Sequence, residues 1–89
     1  MQSHVTRRYR ALYAKLPAET RRDANAAYCM WKADPFHSSL QFKELEDMEG
    51  IWSVRIGFGW RALATKEGDE VTWFWIGSHA NYDKWIREH

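Results

Sequence analysis

At 89 residues the chain has length for one hydrophobic core and not for two, because the fraction of surface that folding can bury falls as a domain shrinks. A hydrophobic fraction of 45% with six tryptophans excludes disorder, and the single cysteine, Cys29, excludes both an internal disulfide and a cysteine-built metal site. No apolar run is long enough to span a membrane, and a net charge of only +1 excludes a molecule that holds polyanions with its whole surface, so the expectation is a soluble, cytoplasmic, single domain over residues 1–89.

In chain order, Val5, Tyr9, Leu12, Tyr13 and Leu16 mark one face of a helix, with Thr6 placed to cap it. Pro17 interrupts the pattern and can open a second helix, which carries Ala24, Ala27, Tyr28 and Trp31 on one side and ends at Asp34-Pro35. The two predict a helical hairpin. Cys29 falls among apolar residues of the second helix and reads as packing. Residues 40–43 are short enough for an edge strand, and the acidic stretch to Gly50 reads as a loop.

From Ile51 the period changes to two, with Trp52, Val54 and Ile56 on one face and Ser53 and Arg55 on the other. Gly57-Phe58-Gly59 is a three-residue turn into a strand over 60–65, and Glu67-Gly68-Asp69 turns the chain into 71–76. That last run is apolar on both faces, which places it at the sheet's centre. Residues 82–87 predict a closing helical turn or short helix. The fold class is therefore α+β: a helical hairpin on a twisted antiparallel sheet of three to four strands.

Charge is unevenly spread. Residues 1–22 hold six bases against Glu19 alone, a net of +5, whereas residues 44–50 hold four acids and no base. Within the hairpin, a loop at 57–59 pairs Ile56 with Trp60 and therefore Arg55 with Arg61, on one face. Like charges directly across a strand pair are destabilising unless an anion lies between them, so the pair points to phosphate; pairing with the acids at 44–49 is the alternative that spacing leaves open. His79, just past the last strand, suits proton transfer near neutral pH, or equally a surface or capping role. Tyr82 can donate its hydroxyl, stack on a base or anchor the chain end. His4, His37 and His89 are scattered, and no spacing suggests a metal.

The phrases Lys15-Leu16-Pro17, Asp34-Pro35 with Ser39-Leu40, Phe42-Lys43-Glu44-Leu45, Trp52-Ser53-Val54-Arg55-Ile56, Trp60-Arg61-Ala62-Leu63 and the run from Trp73 to His79 followed by Tyr82-Asp83 resemble, in order and spacing, the RelE/ParE superfamily of type II toxin–antitoxin toxins. The resemblance to the RelE branch implies a ribosome-dependent mRNA endonuclease that needs no metal or other cofactor, with a cognate antitoxin, the ribosome and mRNA as partners. It implies Arg61 and Arg55 as phosphate-binding arginines, His79 as the acid and Tyr82 as the late tyrosine. Arg7, Arg8, Arg10 and Lys43 become candidates for RNA phosphate contacts, and Glu44 and Glu49 are the carboxylates available as general base. Three features depart from the pattern. Only residues 1–4 can supply the usual first strand, which is expected to be short or missing; Trp60 replaces the usual tyrosine; and Ser53 stands where a lysine would help. The alternatives are a ParE-like inhibitor of DNA gyrase and an inactive homologue that only binds antitoxin.

Overall fold

A computed structural model describes every residue from Met1 to His89. Strand β1 (Gln2–Val5) leads into helix α1 (Arg7–Ala14), whose first turn is closed by the Thr6 hydroxyl accepting from the Tyr9 N–H at 3.1 Å. Pro17, lacking an N–H of its own to leave unpaired, stands at the start of α2 (Ala18–Ala33). Then follow a single 3₁₀ turn (Ser38–Leu40), β2 (Lys43–Glu44), β3 (Ile51–Ile56), β4 (Trp60–Glu67), β5 (Glu70–Ser78) and α3 (His79–Glu88).

The strands form one sheet in the order β1-β5-β4-β3-β2, antiparallel except for the β1–β5 pair. The α+β class and the helical hairpin on a sheet are as the sequence predicts. The sheet is larger by its parallel member. Only Val5 in β1 is strongly apolar, so this strand is held by backbone pairing rather than packing: β5 has a second edge whose N–H and C=O groups need partners. That capture makes β5 an interior strand, while β4 occupies the middle of the order.

Three local expectations change. The edge strand expected over 40–43 forms instead at Lys43–Glu44, and Leu40 ends a 3₁₀ turn, because Leu40 and Phe42 both sink into the core on either side of Gln41, whose φ of 48° lies in the left-handed region. The last helix starts at His79, not at residue 82, since the Ser78 hydroxyl accepts from the Asn81 N–H at 3.2 Å and caps it. Cys29 is exposed on the outer side of α2 and does not pack.

One face of the sheet carries the core. Trp52, Val54 and Ile56 of β3, Ala62 and Ala64 of β4, and Val71, Trp73 and Ile76 of β5 meet Leu12, Leu16, Ala24 and Trp31 of the helical hairpin. Trp31, only 1% exposed, meets Trp73 and Phe42 edge-on at centroid distances of 5.3 and 5.7 Å. Removing so large a buried ring costs about 3 to 5 kcal/mol. The other face carries Arg55, Arg61 and Leu63, and only α3 covers it, through contacts such as Phe74 to Trp85.

A register shift serves this division. The partners of β4 step from Trp75 opposite Leu63 to Trp73 opposite Ala64, which leaves Phe74 as the extra residue of a bulge. Trp73 and Ile76 can therefore both face the helical hairpin while Phe74 and Trp75 face α3. Strict alternation would not allow that.

Burial of Tyr9 between α1 and the core, reinforced by Tyr13 and Tyr28, raises its pKa from 10.0 to about 12. From pH 10 to 12 the unfolded chain therefore loses a proton that the folded chain keeps, so stability is intact below pH 10 and falls as pH rises through this window. Urea unfolding of the wild type and Tyr9→Phe at pH 9 and pH 11.5 tests this: the variant is expected to lose less stability between the two, with Tyr9 accounting for roughly 2 kcal/mol of the difference.

Candidate functional site

The three-residue turn at Gly57-Phe58-Gly59 sets the register that places Ile56 opposite Trp60 and Arg55 opposite Arg61, as the sequence predicts. Gly57 and Gly59 both have positive φ, at 48° and 89°, which lets so short a loop close; a side chain at Gly57 would also strike the Asp23 carboxylate. Neither guanidinium is within ion-pair distance of a carboxylate. Arg55 donates from Nε to the Gly57 carbonyl at 3.4 Å, and Arg61 reaches the Gln41 amide oxygen at 3.5 Å, the outer limit of a hydrogen bond. The acids at 44–49 do not neutralise the pair.

On its other side Arg61 lies opposite Gly77, where any Cβ would come within 2.7 Å of the Trp75 ring. The space above Gly77 is taken by the Trp75 ring, and Tyr82 of α3 comes to the Arg61 guanidinium, its ring centre 5.3 Å from the guanidinium carbon. His79 stands on the first turn of α3. Its backbone N–H donates to the Gly59 carbonyl at 2.8 Å, tying the helix start to the β3–β4 turn. Its Nδ1 is 3.3 Å from Asp83 Oδ2, one helical turn on, and its ring meets Tyr82 edge-on at 5.8 Å.

Arg55, Arg61 and His79 line one open cleft of about 340 Å³ together with Gln41, Phe58, Gly59 and Trp60. Arg55, on the part of β3 that extends past β2, also borders a cleft toward α2 beside Asp23, Met30 and Ser39. Four positions expected to carry chemistry, Arg55, Arg61, His79 and Tyr82, are therefore brought together. Lys43 joins their face: it pairs with Ser53, two residues before Arg55, and directly opposed residues of an antiparallel pair point to the same side.

The carboxylates are placed elsewhere, which corrects their assignment as bases for this cleft. Glu44 pairs with Trp52 and so points to the hairpin side of the sheet, where its Oε2 accepts from the Gly50 N–H at 2.7 Å. Glu49 lies at the opposite end of the β3–β4 ladder, beside Ile51, Thr65 and Lys66. Arg7, Arg8 and Arg10 are exposed on α1, which packs on the other face. They make a basic surface distinct from the cleft.

Sequence reasoning overlooks two residues that line the cleft, Gln41 and Phe58, and the partner of its histidine, Asp83. Asp83 was legible as the i+4 partner of His79 once a helix there was assumed. Gln41 left no signal, because its approach depends on a left-handed backbone that glutamine rarely adopts. Phe58 belongs to a turn by sequence, and nothing local says that a turn residue overlooks a site.

A family model described as a ParE-like toxin domain matches residues 18–84, well over half of the chain. Comparison with curated proteins returns no significant match. Among solved structures, a chain of the RelB–RelE antitoxin–toxin complex of Methanococcus jannaschii superposes with a TM-score of 0.75 at 10% identity, covering 93% of this chain and 98% of that one. The isolated RelE toxin of E. coli gives 0.68 at 13% identity over 98% and 96% of the two chains. The YoeB/ParE toxin of Agrobacterium tumefaciens gives 0.65 at 22% identity over 89% and 99%. At such identities these likenesses establish the fold.

Because Arg55 and Arg61 are like charges directly opposite each other, Arg55→Gln is expected to stabilise the protein at low ionic strength by roughly 0.2 to 1 kcal/mol. Urea unfolding at low and at high salt checks this. The gain should shrink as salt screens the wild-type repulsion; a loss of stability at both salts would show that Arg55 is a structural residue.

Proposed function

The chain belongs to the ParE-like toxin family, and on that premise we propose that it is a type II toxin that cuts mRNA on the ribosome. The observation that carries the reading is the placement of two arginines without acidic partners directly opposite each other, with an imidazole on the same cleft. A paired guanidinium site is costly to an empty protein and favourable to one holding a phosphodiester, more so as negative charge builds in the transition state.

In the proposed reaction the ribose 2′-oxygen attacks the adjacent phosphorus, forming the 2′-O–P bond and losing its proton to water. Arg55 and Arg61 stabilise the charge on the phosphoryl oxygens. His79, with Nδ1 oriented by Asp83, protonates the departing 5′-oxygen as the P–O5′ bond breaks, leaving a 2′,3′-cyclic phosphate and a 5′-hydroxyl. Tyr82 holds Arg61 from below and limits its rotamers. Lys43 lies on the same face, where it meets the phosphate backbone beyond the cut.

The basic surface of α1, on the opposite layer, is proposed to meet either ribosomal RNA or the acidic residues of a cognate antitoxin. Support for an antitoxin comes from the Methanococcus neighbour, which was solved as an antitoxin–toxin complex. One observation favours a second reading: the matching family model is described as ParE-like, and the ParE branch implies inhibition of DNA gyrase.

Mapping of mRNA 5′ ends after brief induction tests the reading. Wild type is expected to produce cuts within translated codons, Arg61→Ala to lower cleavage about 100- to 1,000-fold, and His79→Ala about 100- to 10,000-fold. Cleavage retained in both folded variants would refute the assignment. Inhibition of gyrase supercoiling by wild-type protein that cuts no messenger would establish the second reading.

A further inference from the structure

Phe58 is 90% exposed, the most exposed large apolar side chain of the protein. It occupies the tip of the Gly57-Phe58-Gly59 turn and borders the same cleft as Arg55, Arg61 and His79. The turn is not free to swing. Arg55 donates to the Gly57 carbonyl and the His79 N–H donates to the Gly59 carbonyl, so both residues flanking Phe58 are tied to residues of the site.

An exposed phenyl ring held next to two guanidiniums is the combination that binds single-stranded nucleic acid: cations take the phosphate, and an aromatic face takes a base. A protein-docking patch would need neighbouring apolar area. The other exposed large apolar residues, Val5, Tyr28, Met30 and Phe36, lie outside this cleft. An exposed ring beside a basic cleft, whose one other apolar ring is the half-buried Trp60, suits a flat, unpaired base.

We infer that Phe58 is the stacking platform for the nucleobase next to the phosphate held by Arg55 and Arg61, so that the substrate is a single strand with one base turned out of its stack. This rests on the nuclease reading and deepens it. Phe58 acts as a positioning residue: stacking holds the ribose of that nucleotide over the cleft, in register for attack. Because every base has a π-face, the platform is permissive of sequence, with larger purine faces covering more of the ring.

The test uses the full-length protein and a short RNA carrying 2-aminopurine at the expected position, with the adjacent 2′-hydroxyl methylated so that it cannot react. Wild type is expected to quench the fluorophore on binding. Phe58→Ala should weaken binding by about 5- to 100-fold and abolish quenching, Phe58→Trp should restore both, and Phe58→Leu should not. No quenching by the wild type, equal binding by Phe58→Ala or Phe58→Leu, or a loss confined to capture of a protein partner would each overturn the inference. Cleavage on ribosomes separates this from the larger reading. Wild-type cleavage rates in Phe58→Ala sink the platform and leave the nuclease standing, whereas Phe58-dependent quenching by a protein that never cuts leaves the platform and sinks the nuclease.

Discussion

The antiparallel register between β3 and β4 is the constraint on which the rest of the molecule depends. It puts Arg55 opposite Arg61, and it also puts Val54 opposite Ala62 on the hairpin side. A slip of one residue would turn the guanidinium of the slipped strand into the apolar core and expose that strand's core residues, so burial on one face enforces proximity of charge on the other. Repulsion between the arginines is small beside the cost of that slip.

This linkage explains how a chain of such modest size keeps stability and chemistry apart. The face beneath α1 and α2 is packed with tryptophan, phenylalanine and aliphatic side chains. The reverse face is covered near β4 and β5 by α3, Ser53 of β3 is buried there too, and the face opens at the Arg55 end of β3. The bulge at Phe74 lets β5 serve both: Trp73 and Ile76 face the hairpin, while Phe74 meets Trp85 of α3. Since α3 starts directly where β5 ends, His79, Tyr82 and Asp83 reach the cleft on a helix anchored by the sheet rather than on a loop.

Solved structures at 10% to 22% identity share this architecture over nearly their whole lengths. Sequence drift of that extent is tolerated because the fold asks for a pattern, namely hydrophobic alternation, a tight glycine turn and a capped helix, more than for particular residues. Activity asks for particular atoms. Within one such fold, what a member does is decided by the few side chains on the uncovered face.

Much was determined by the order of residues alone: the helical hairpin split at Pro17, the period-two strands, the three-residue turn, and hence the apposition of Arg55 and Arg61. Each of these follows from contacts close in sequence, where spacing dictates geometry. The capture of β1 by β5, the turn of Glu44 toward the hairpin side, the distance of Glu49 and of the α1 arginines from the cleft, and the arrival of Gln41 and Phe58 beside it were decided only by tertiary structure. They depend on which sheet edge was left unpaired and which face a short strand happened to present, and those outcomes are settled by backbone hydrogen bonding between segments far apart in the chain.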